Sequence, residues 1–165
     1  MDSATLDALA SFPDRLEAHY GAVPDGFGMW APASWAGSPS EDFTALEQIC
    51  HVRDIETLGY HVRFVRTLKE DRPFLPGVDG NVLRRDRAYA EAFAPDVLKA
   101  FRQAREETLE LLATVSLAQW DRVAEFEGYG LVTLRGLAHY LCSHDQQHLA
   151  GLQWLCGKIT AAEQV

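Results

Sequence analysis

Apolar residues recur at every third or fourth position through most of the chain, which is the spacing of amphipathic helices. Four stretches carry this pattern, and they run from about Thr5 to Tyr20, Ser38 to Arg72, Pro95 to Val115, and Thr133 to Gly157. The sequence shows no internal repeat and no alternation of apolar and polar residues long enough to predict a sheet. Four long helices joined by extended crossover connections predict an all-α four-helix bundle.

The residues at the ends of these stretches predict where the helices begin and end. Ser38-Pro39-Ser40-Glu41 places a serine cap before a proline, with a glutamate three residues after the cap, and so predicts the start of the second helix. Thr133 is the predicted N-cap of the fourth helix, and Gly157 is its predicted stop. Pro13 interrupts the first stretch, so that helix either kinks there or begins anew with Ser11 as its cap.

The connections between the helices are rich in proline and glycine. Residues 23–40 and 73–81 lack helical periodicity and predict two long loops, the second of them a crossover. A short helical turn is expected around Tyr89. Residues 125–132 contain Gly128 and Gly130, which predict a turn or a small hairpin.

Composition narrows the class of protein. With 165 residues, 47% of them hydrophobic, one domain spanning residues 1–165 can bury a core of its own. The formal net charge of −9 disfavours nucleic acid as a partner, because acidic surfaces repel phosphate. No apolar run approaches the roughly 20 residues that span a bilayer, and residues 1–10 carry no basic residue typical of a secretory signal. Three cysteines without paired spacing indicate a reducing compartment, so we expect a cytoplasmic protein with no membrane partner.

The histidines offer the clearest candidate chemistry. His144 and His148 stand four residues apart on the predicted fourth helix, so their imidazoles project from one face and could share a metal ion. A third ligand must come from elsewhere, and the candidates are His19, His51, His61 and His139. His51 is the best of these, because it borders the apolar stripe of the second helix. Three imidazoles from two helices would leave coordination positions open, as catalytic metal sites do.

Three acidic residues could support these histidines. Asp54 follows His51 by three residues, Asp145 adjoins His144, and Glu47 lies one turn before His51. Each carboxylate could accept the outer N–H of an imidazole and fix its tautomer, and Glu47 is alternatively a fourth ligand. Because Asp stands at position 145, the pair does not form the HExxH motif, which disfavours a metalloprotease.

The same residues resemble the DinB-like, or YfiT-type, superfamily. The similarity rests on the segment Cys50 to Glu56, on residues 117–120 with 127–130, and on the run from Thr133 to Leu149, and it extends over roughly Thr5 to Gly157. The resemblance implies a four-helix bundle in which three histidines bind a divalent metal ion, often zinc or nickel, and which is often a homodimer. Carried onto this sequence, the resemblance makes the metal ligands His51, His144 and His148.

The resemblance also implies a range of activities. Some members are thiol-dependent S-transferases or isomerases that use low-molecular-weight thiols, and many have no known activity. A metal ion would activate either water or a thiol toward a small-molecule substrate, and the sequence does not choose between hydrolysis and thiol transfer. We expect a metal-dependent enzyme, with thiol transfer as the leading prediction. The alternatives are a non-catalytic metal-binding or stress-response interaction module and a structural bundle without metal.

Overall fold

The computed structural model describes residues 1–162 and confirms the four-helix bundle. In chain order its elements are α1 (Ser3–Gly21), α2 (Ala45–Asp54), a π-helical turn (Ile55–Tyr60), α3 (His61–Lys69), β1 (Phe74–Leu75), α4 (Gly80–Asp86), a 3-10 turn (Tyr89–Glu91), α5 (Ala94–Ala113), a 3-10 turn (Gln119–Asp121), β2 (Val123–Phe126), β3 (Gly130–Thr133) and α6 (Leu134–Ala162). The bundle consists of α1, the continuous segment from α2 to α3, α5 and α6, which pack on one another. Within residues 1–162, no helix is both long and apolar enough to cross a membrane.

The first helix continues through its proline, so the predicted new start at Ser11 is wrong. Asp2 caps α1 by accepting a hydrogen bond of 2.8 Å from the Thr5 backbone N–H, and Pro13 lies inside the helix. Proline has no N–H for the carbonyl four residues earlier, which here belongs to Leu9. Arg105 from α5 donates to that carbonyl at 3.0 Å and so satisfies the acceptor that Pro13 leaves free.

The second helix begins later than its predicted cap at Ser38–Glu41. Thr44 is the N-cap, and it forms a reciprocal capping box with Glu47, as a threonine followed three residues later by glutamate does. Both segments carry a cap pattern, and continuous burial begins only at Phe43, just before the Thr44 cap. Ser38–Glu41 therefore remains in the loop, which leaves the Glu41 side chain free to turn toward the bundle.

The π-helical turn changes which residues of the α2–α3 segment share a face. A π turn holds about one residue more than an α turn, so it rotates all later positions by about 100°. Arg63 would lie about 120° from His51 on an unbroken α-helix, and the extra residue reduces this offset to about 20°. Tyr60 and Arg63 consequently line the same cavity as His51. His61 points away from it and forms a hydrogen bond of 3.2 Å with Thr108 of α5.

The connections before α4 and before α6 contribute strands to one small sheet. The sequence did not predict a sheet, because it shows no long alternation of apolar and polar residues. β2 and β3 form the expected small hairpin in antiparallel register from Val123↔Thr133 to Phe126↔Gly130, and β1 adds a parallel third strand beside β2. Gly128 and Gly130 adopt φ values of 80° and 76°, which favour glycine in such a turn. Strands of two to four residues are too short to show alternation in the sequence.

The last helix begins as predicted and ends later than predicted. The Thr133 hydroxyl accepts a hydrogen bond of 3.0 Å from the Gly136 N–H and caps α6. The predicted stop at Gly157 is wrong, because α6 continues to Ala162. A helical glycine costs about 1 kcal/mol relative to alanine, and the burial of Leu155 and Ile159 on either side offsets that cost.

Candidate metal centre

Three histidines meet where α2 packs against α6. His51 comes from α2, and His144 and His148 lie one turn apart on α6. The Nε2 atom of His144 is 3.3 Å from that of His51 and 3.1 Å from that of His148. One ligand nitrogen from each ring falls within 4.8 Å of the others, and His51 and His148 are buried while His144 is half-buried. The structure thus brings together the three histidines that the sequence singled out.

The spacing of these nitrogens fits a single divalent ion. Imidazole nitrogens bound to a tetrahedral zinc ion at about 2.0–2.1 Å lie about 3.3–3.4 Å from one another. The measured separations of 3.1 and 3.3 Å are close to that value. The donor set could therefore hold a divalent metal ion without a large movement of the backbone.

The protonation states also suit a cation. Burial lowers the pKa of His51, and it lowers the pKa of His144 and His148 well below the ordinary value, so all three rings are neutral near pH 7. The Gln48 side-chain oxygen accepts a hydrogen bond from Nδ1 of His148, which leaves the lone pair of Nε2 facing the cluster. Converging lone pairs repel one another unless a cation or a proton lies among them, and burial disfavours the proton.

Glu41 is a fourth group at the cluster, and sequence analysis missed it. Its Oε2 atom is 3.6 Å from Nε2 of His148, and its Oε1 atom is 3.9 Å from Nε2 of His51. The Oε2 atom is buried and has no hydrogen-bond partner among residues 1–162. An unpaired buried carboxylate oxygen is costly, and a bound cation would satisfy it. The sequence marked Glu41 only as part of a cap pattern, because the tertiary structure determines the path of its loop to the histidines.

Glu47 and Asp54 accept hydrogen bonds from groups other than the imidazole of His51. Glu47 Oε2 accepts hydrogen bonds from the backbone N–H and the hydroxyl of Thr44, at 2.9 and 3.1 Å, and thus serves the capping box. Asp54 accepts from the Tyr89 hydroxyl and from Arg53, both at 2.8 Å. Neither carboxylate forms a hydrogen bond with His51, whose Nδ1 atom has no partner in the part of the chain that the structure describes.

Asp145 likewise supports the fold and not an imidazole. It and Glu56 accept paired hydrogen bonds of 2.8–3.1 Å from Arg105, and all three side chains are buried. These carboxylates raise the pKa of Arg105 further above its ordinary value, so the guanidinium stays charged. Adjacent residues on a helix point about 100° apart, which turns Asp145 away from the ring of His144 and toward α5.

Gln48 takes the supporting role that the sequence had assigned to the acids. Its oxygen faces His148, and its Nε2 donates to the Ser40 hydroxyl at 2.6 Å and to the Phe43 carbonyl at 3.3 Å. Gly151 of α6 leaves room for this arrangement, since a Cβ there would lie 2.8 Å from Gln48 Nε2. Gln48 and Glu47 stand three and four residues before His51, so each lies about one helical turn away from it. The sequence alone favoured the charged residue of the two.

The histidine cluster opens into a cavity of about 190 Å³ between the bundle and the hairpin. Its lining includes Glu41, His51, Tyr60, Arg63, Tyr129 and His144. Gly80, at the start of α4, touches His51 so closely that a Cβ there would lie 2.7 Å from Cε1 of the ring. A larger surface cleft of about 660 Å³ contains Arg84 and Arg85 and none of the three histidines.

The other histidines and the three cysteines lie outside the cluster. His19 is within 2.7 Å of the Arg15 carbonyl, and His139 is within 3.3 Å of the Thr5 hydroxyl. All three cysteines are free. Burial raises the pKa of the Cys50 thiol to about 11, so that thiol is protonated and unreactive near neutral pH.

Three imidazoles from two helices, open to a cavity, define a four-helix-bundle protein with a donor set for a divalent ion. The sequence profile of the DinB superfamily matches residues 7–152, so the chain belongs to the DinB superfamily. Its fold is similar to that of YfiT from Bacillus subtilis, described as a probable metal-dependent hydrolase with an unusual four-helix bundle topology, at a TM-score of 0.82 and 18% identity over 97% of this chain and 90% of that one. No functionally curated protein matches the sequence.

Proposed function

We propose that this protein is a metal-dependent enzyme in which His51, His144 and His148 bind a divalent ion and act on a small molecule in the adjoining cavity. The observation that carries the proposal is the convergence of three neutral Nε2 atoms, 3.1 and 3.3 Å apart, at the wall of that cavity. Three protein ligands and an open side are typical of catalytic metal sites, whereas structural sites are closed by four.

Because the histidine cluster is open toward the cavity, the site favours catalysis over simple binding of the ion. A divalent ion held there supplies Lewis acidity and lowers the pKa of a nucleophile that reaches it. Glu41 has an unpaired carboxylate oxygen at that place, so it can accept the proton that the nucleophile gives up. Gln48 holds His148 in the tautomer that this arrangement requires.

The nucleophile comes from outside the chain. Among residues 1–162 no cysteine lines the cavity, and the Cys50 thiol is buried and protonated. A water molecule would make the reaction a hydrolysis, as in the description of YfiT, and a low-molecular-weight thiol would make it an S-transfer. Both reactions use the same three histidines and the same proton acceptor.

Metal analysis of protein purified without an affinity tag tests the metal site. We expect about one equivalent of zinc or nickel for each chain, loss of that metal in His144→Ala, and retention of it in His139→Ala, which changes another histidine of α6. Metal content below a tenth of an equivalent in the wild type, after incubation with either ion, would refute the proposal. Unchanged metal content in His144→Ala would place the site elsewhere.

An activity screen separates an enzyme from a metal-binding module. Activated esters and amides test hydrolysis, and an electrophile offered with a small thiol tests transfer, each compared between the wild type and Glu41→Gln. This variant keeps the three histidines and removes the proton acceptor. Turnover that falls in Glu41→Gln with its metal content intact supports catalysis. Absence of turnover in the metal-loaded wild type would favour a non-catalytic role.

A further inference from the structure

Two arginines are buried within residues 1–162, and one of them lacks an ion-pair partner there. Arg105 is 0% exposed and is held by Glu56 and Asp145 in paired hydrogen bonds. Arg63 is 5% exposed, and among residues 1–162 no carboxylate forms an ion pair with it. A buried charge without a counter-ion costs several kcal/mol, so natural proteins seldom keep one without a use.

The contacts of Arg63 satisfy part of its guanidinium and leave part of it free. One Nη atom donates to the Pro76 carbonyl at 3.2 Å, and the group lies over the rings of Tyr60 and Phe126, at 5.0 and 4.4 Å from their centroids. The Nε atom is buried and has no hydrogen-bond partner among the described residues. A carboxylate in the cavity can take up the guanidinium donors that these contacts leave unused, because arginine binds carboxylates through paired hydrogen bonds.

Arg63 lines the same cavity as His51 and His144. Two acids also line it, and neither forms an ion pair with the arginine: Glu41 lies beside the imidazoles, and Glu127 accepts a hydrogen bond of 2.7 Å from the Gly77 N–H. The π-helical turn rotates Arg63 onto the face of His51, and π turns frequently occur at functional sites. The cavity therefore combines a metal-type donor set with a cation that has no ion-pair partner among the described residues.

We propose that Arg63 binds an anionic group of the substrate, so that the substrates of this enzyme are small carboxylates with an apolar body. The carboxylate pairs with the guanidinium, the body packs against Tyr60, Phe126 and Tyr129, and the reactive bond faces the histidines. This inference rests on the proposed function for its last part only, because the pairing with Arg63 does not need the ion.

Calorimetric titration with benzoate and with benzamide, its neutral analogue, tests the proposal in metal-loaded and metal-free protein. We expect the wild type to bind benzoate at least about tenfold more tightly than benzamide. Arg63→Met should abolish this preference, and Arg63→Lys should keep part of it. The control is Arg84→Met, since Arg84 also lies over an aromatic ring, that of Phe43, but in the larger cleft. It should retain the full preference.

Equal benzoate affinity in the wild type and Arg63→Met would overturn the proposal, as would absence of benzoate binding by the wild type. Circular dichroism shows whether Arg63→Met folds. If it does not, a crystal structure of the wild type with benzoate decides: a carboxylate on the Arg63 guanidinium supports the proposal, and a carboxylate bound only to the metal or elsewhere refutes it.

The same samples distinguish the failure of this inference from that of the proposed function. A full equivalent of metal with no Arg63-dependent preference refutes the anion site and leaves the metal site intact. Absence of metal together with an Arg63-dependent preference for benzoate refutes the metal-dependent enzyme and supports the anion site.

Discussion

Gly80→Ala is a small change that places a methyl group against His51. Gly80 lies at the first position of α4, and a Cβ there would be 2.7 Å from Cε1 and 2.9 Å from Nδ1 of the imidazole. Carbon atoms in van der Waals contact lie about 3.5–4.0 Å apart. The ring must therefore move by roughly 0.8 Å or more to accept the methyl group.

Such a movement is large for a metal ligand and small for the fold. Ligand distances in metal sites vary by only about 0.2 Å. We therefore expect Gly80→Ala to weaken metal binding by about 10- to 100-fold, the range found when the support of a ligand is lost. The free energy of unfolding of the metal-free protein should stay within about 1 kcal/mol of the wild type, because alanine favours a helix over glycine by a similar amount.

Competition against a chromogenic chelator measures the metal affinity, and urea titration measures the stability. The matched control is Gly157→Ala, because Gly157 is also helical and a methyl group added there would meet nothing within 4 Å beyond its own turns of helix. This control should bind metal as the wild type does. If folded Gly80→Ala binds metal with wild-type affinity, then His51 is not a ligand in the position that the structure gives it.

Three further predictions concern the surroundings of the site. Gln48→Leu should weaken metal binding by about 10- to 100-fold, because His148 loses the acceptor that fixes its tautomer. The control Gln103→Leu, on an exposed part of α5, should bind metal as the wild type does. Chelator competition compares the two variants, and equal affinities would contradict the tautomer role. Arg105→Met should lower the free energy of unfolding by about 3–5 kcal/mol in urea, since it leaves two buried carboxylates without their cation; a loss below about 1 kcal/mol would show that the network contributes little. The pKa of His144 and that of His148 are lowered by burial, so below the unfolded value of about 6.5 the unfolded chain takes up protons that the folded chain does not. The free energy of unfolding of the metal-free protein is therefore highest above that pH, and it should fall by about 1.4 kcal/mol per histidine between about pH 7.5 and pH 5.5. Equal urea midpoints at the two pH values would contradict the lowered pKa values.

Features that depend only on neighbouring residues could be predicted from the amino-acid sequence. Helical periodicity predicted the bundle, because an amphipathic stripe must be buried whichever helix covers it. The spacing of His144 and His148 predicted a shared face, because residues four apart always lie one turn apart. Thr133 was recognisable as a cap for the same reason, since a cap bonds to its own helix.

Charged residues near the histidines show where local reasoning fails. Asp145 and Asp54 are close to the clustered histidines in sequence, yet Arg105 from α5 and Tyr89 from a distant turn bind their carboxylates. A buried carboxylate takes the strongest donor in reach, and that donor can come from any part of the chain. Asp145 and Asp54 therefore could not be assigned from spacing.

The open side of the site depends on how the chain folds in three dimensions. Glu41 reaches the cluster because a loop returns it to α2, and Arg63 faces the cavity because the π-helical turn rotates it by about 100°. No periodicity or cap predicts either event, since a π turn interrupts the period and a loop has none. Spacing along a helix could therefore indicate the histidines of the candidate metal site, while the other groups that line its cavity depended on how distant segments pack.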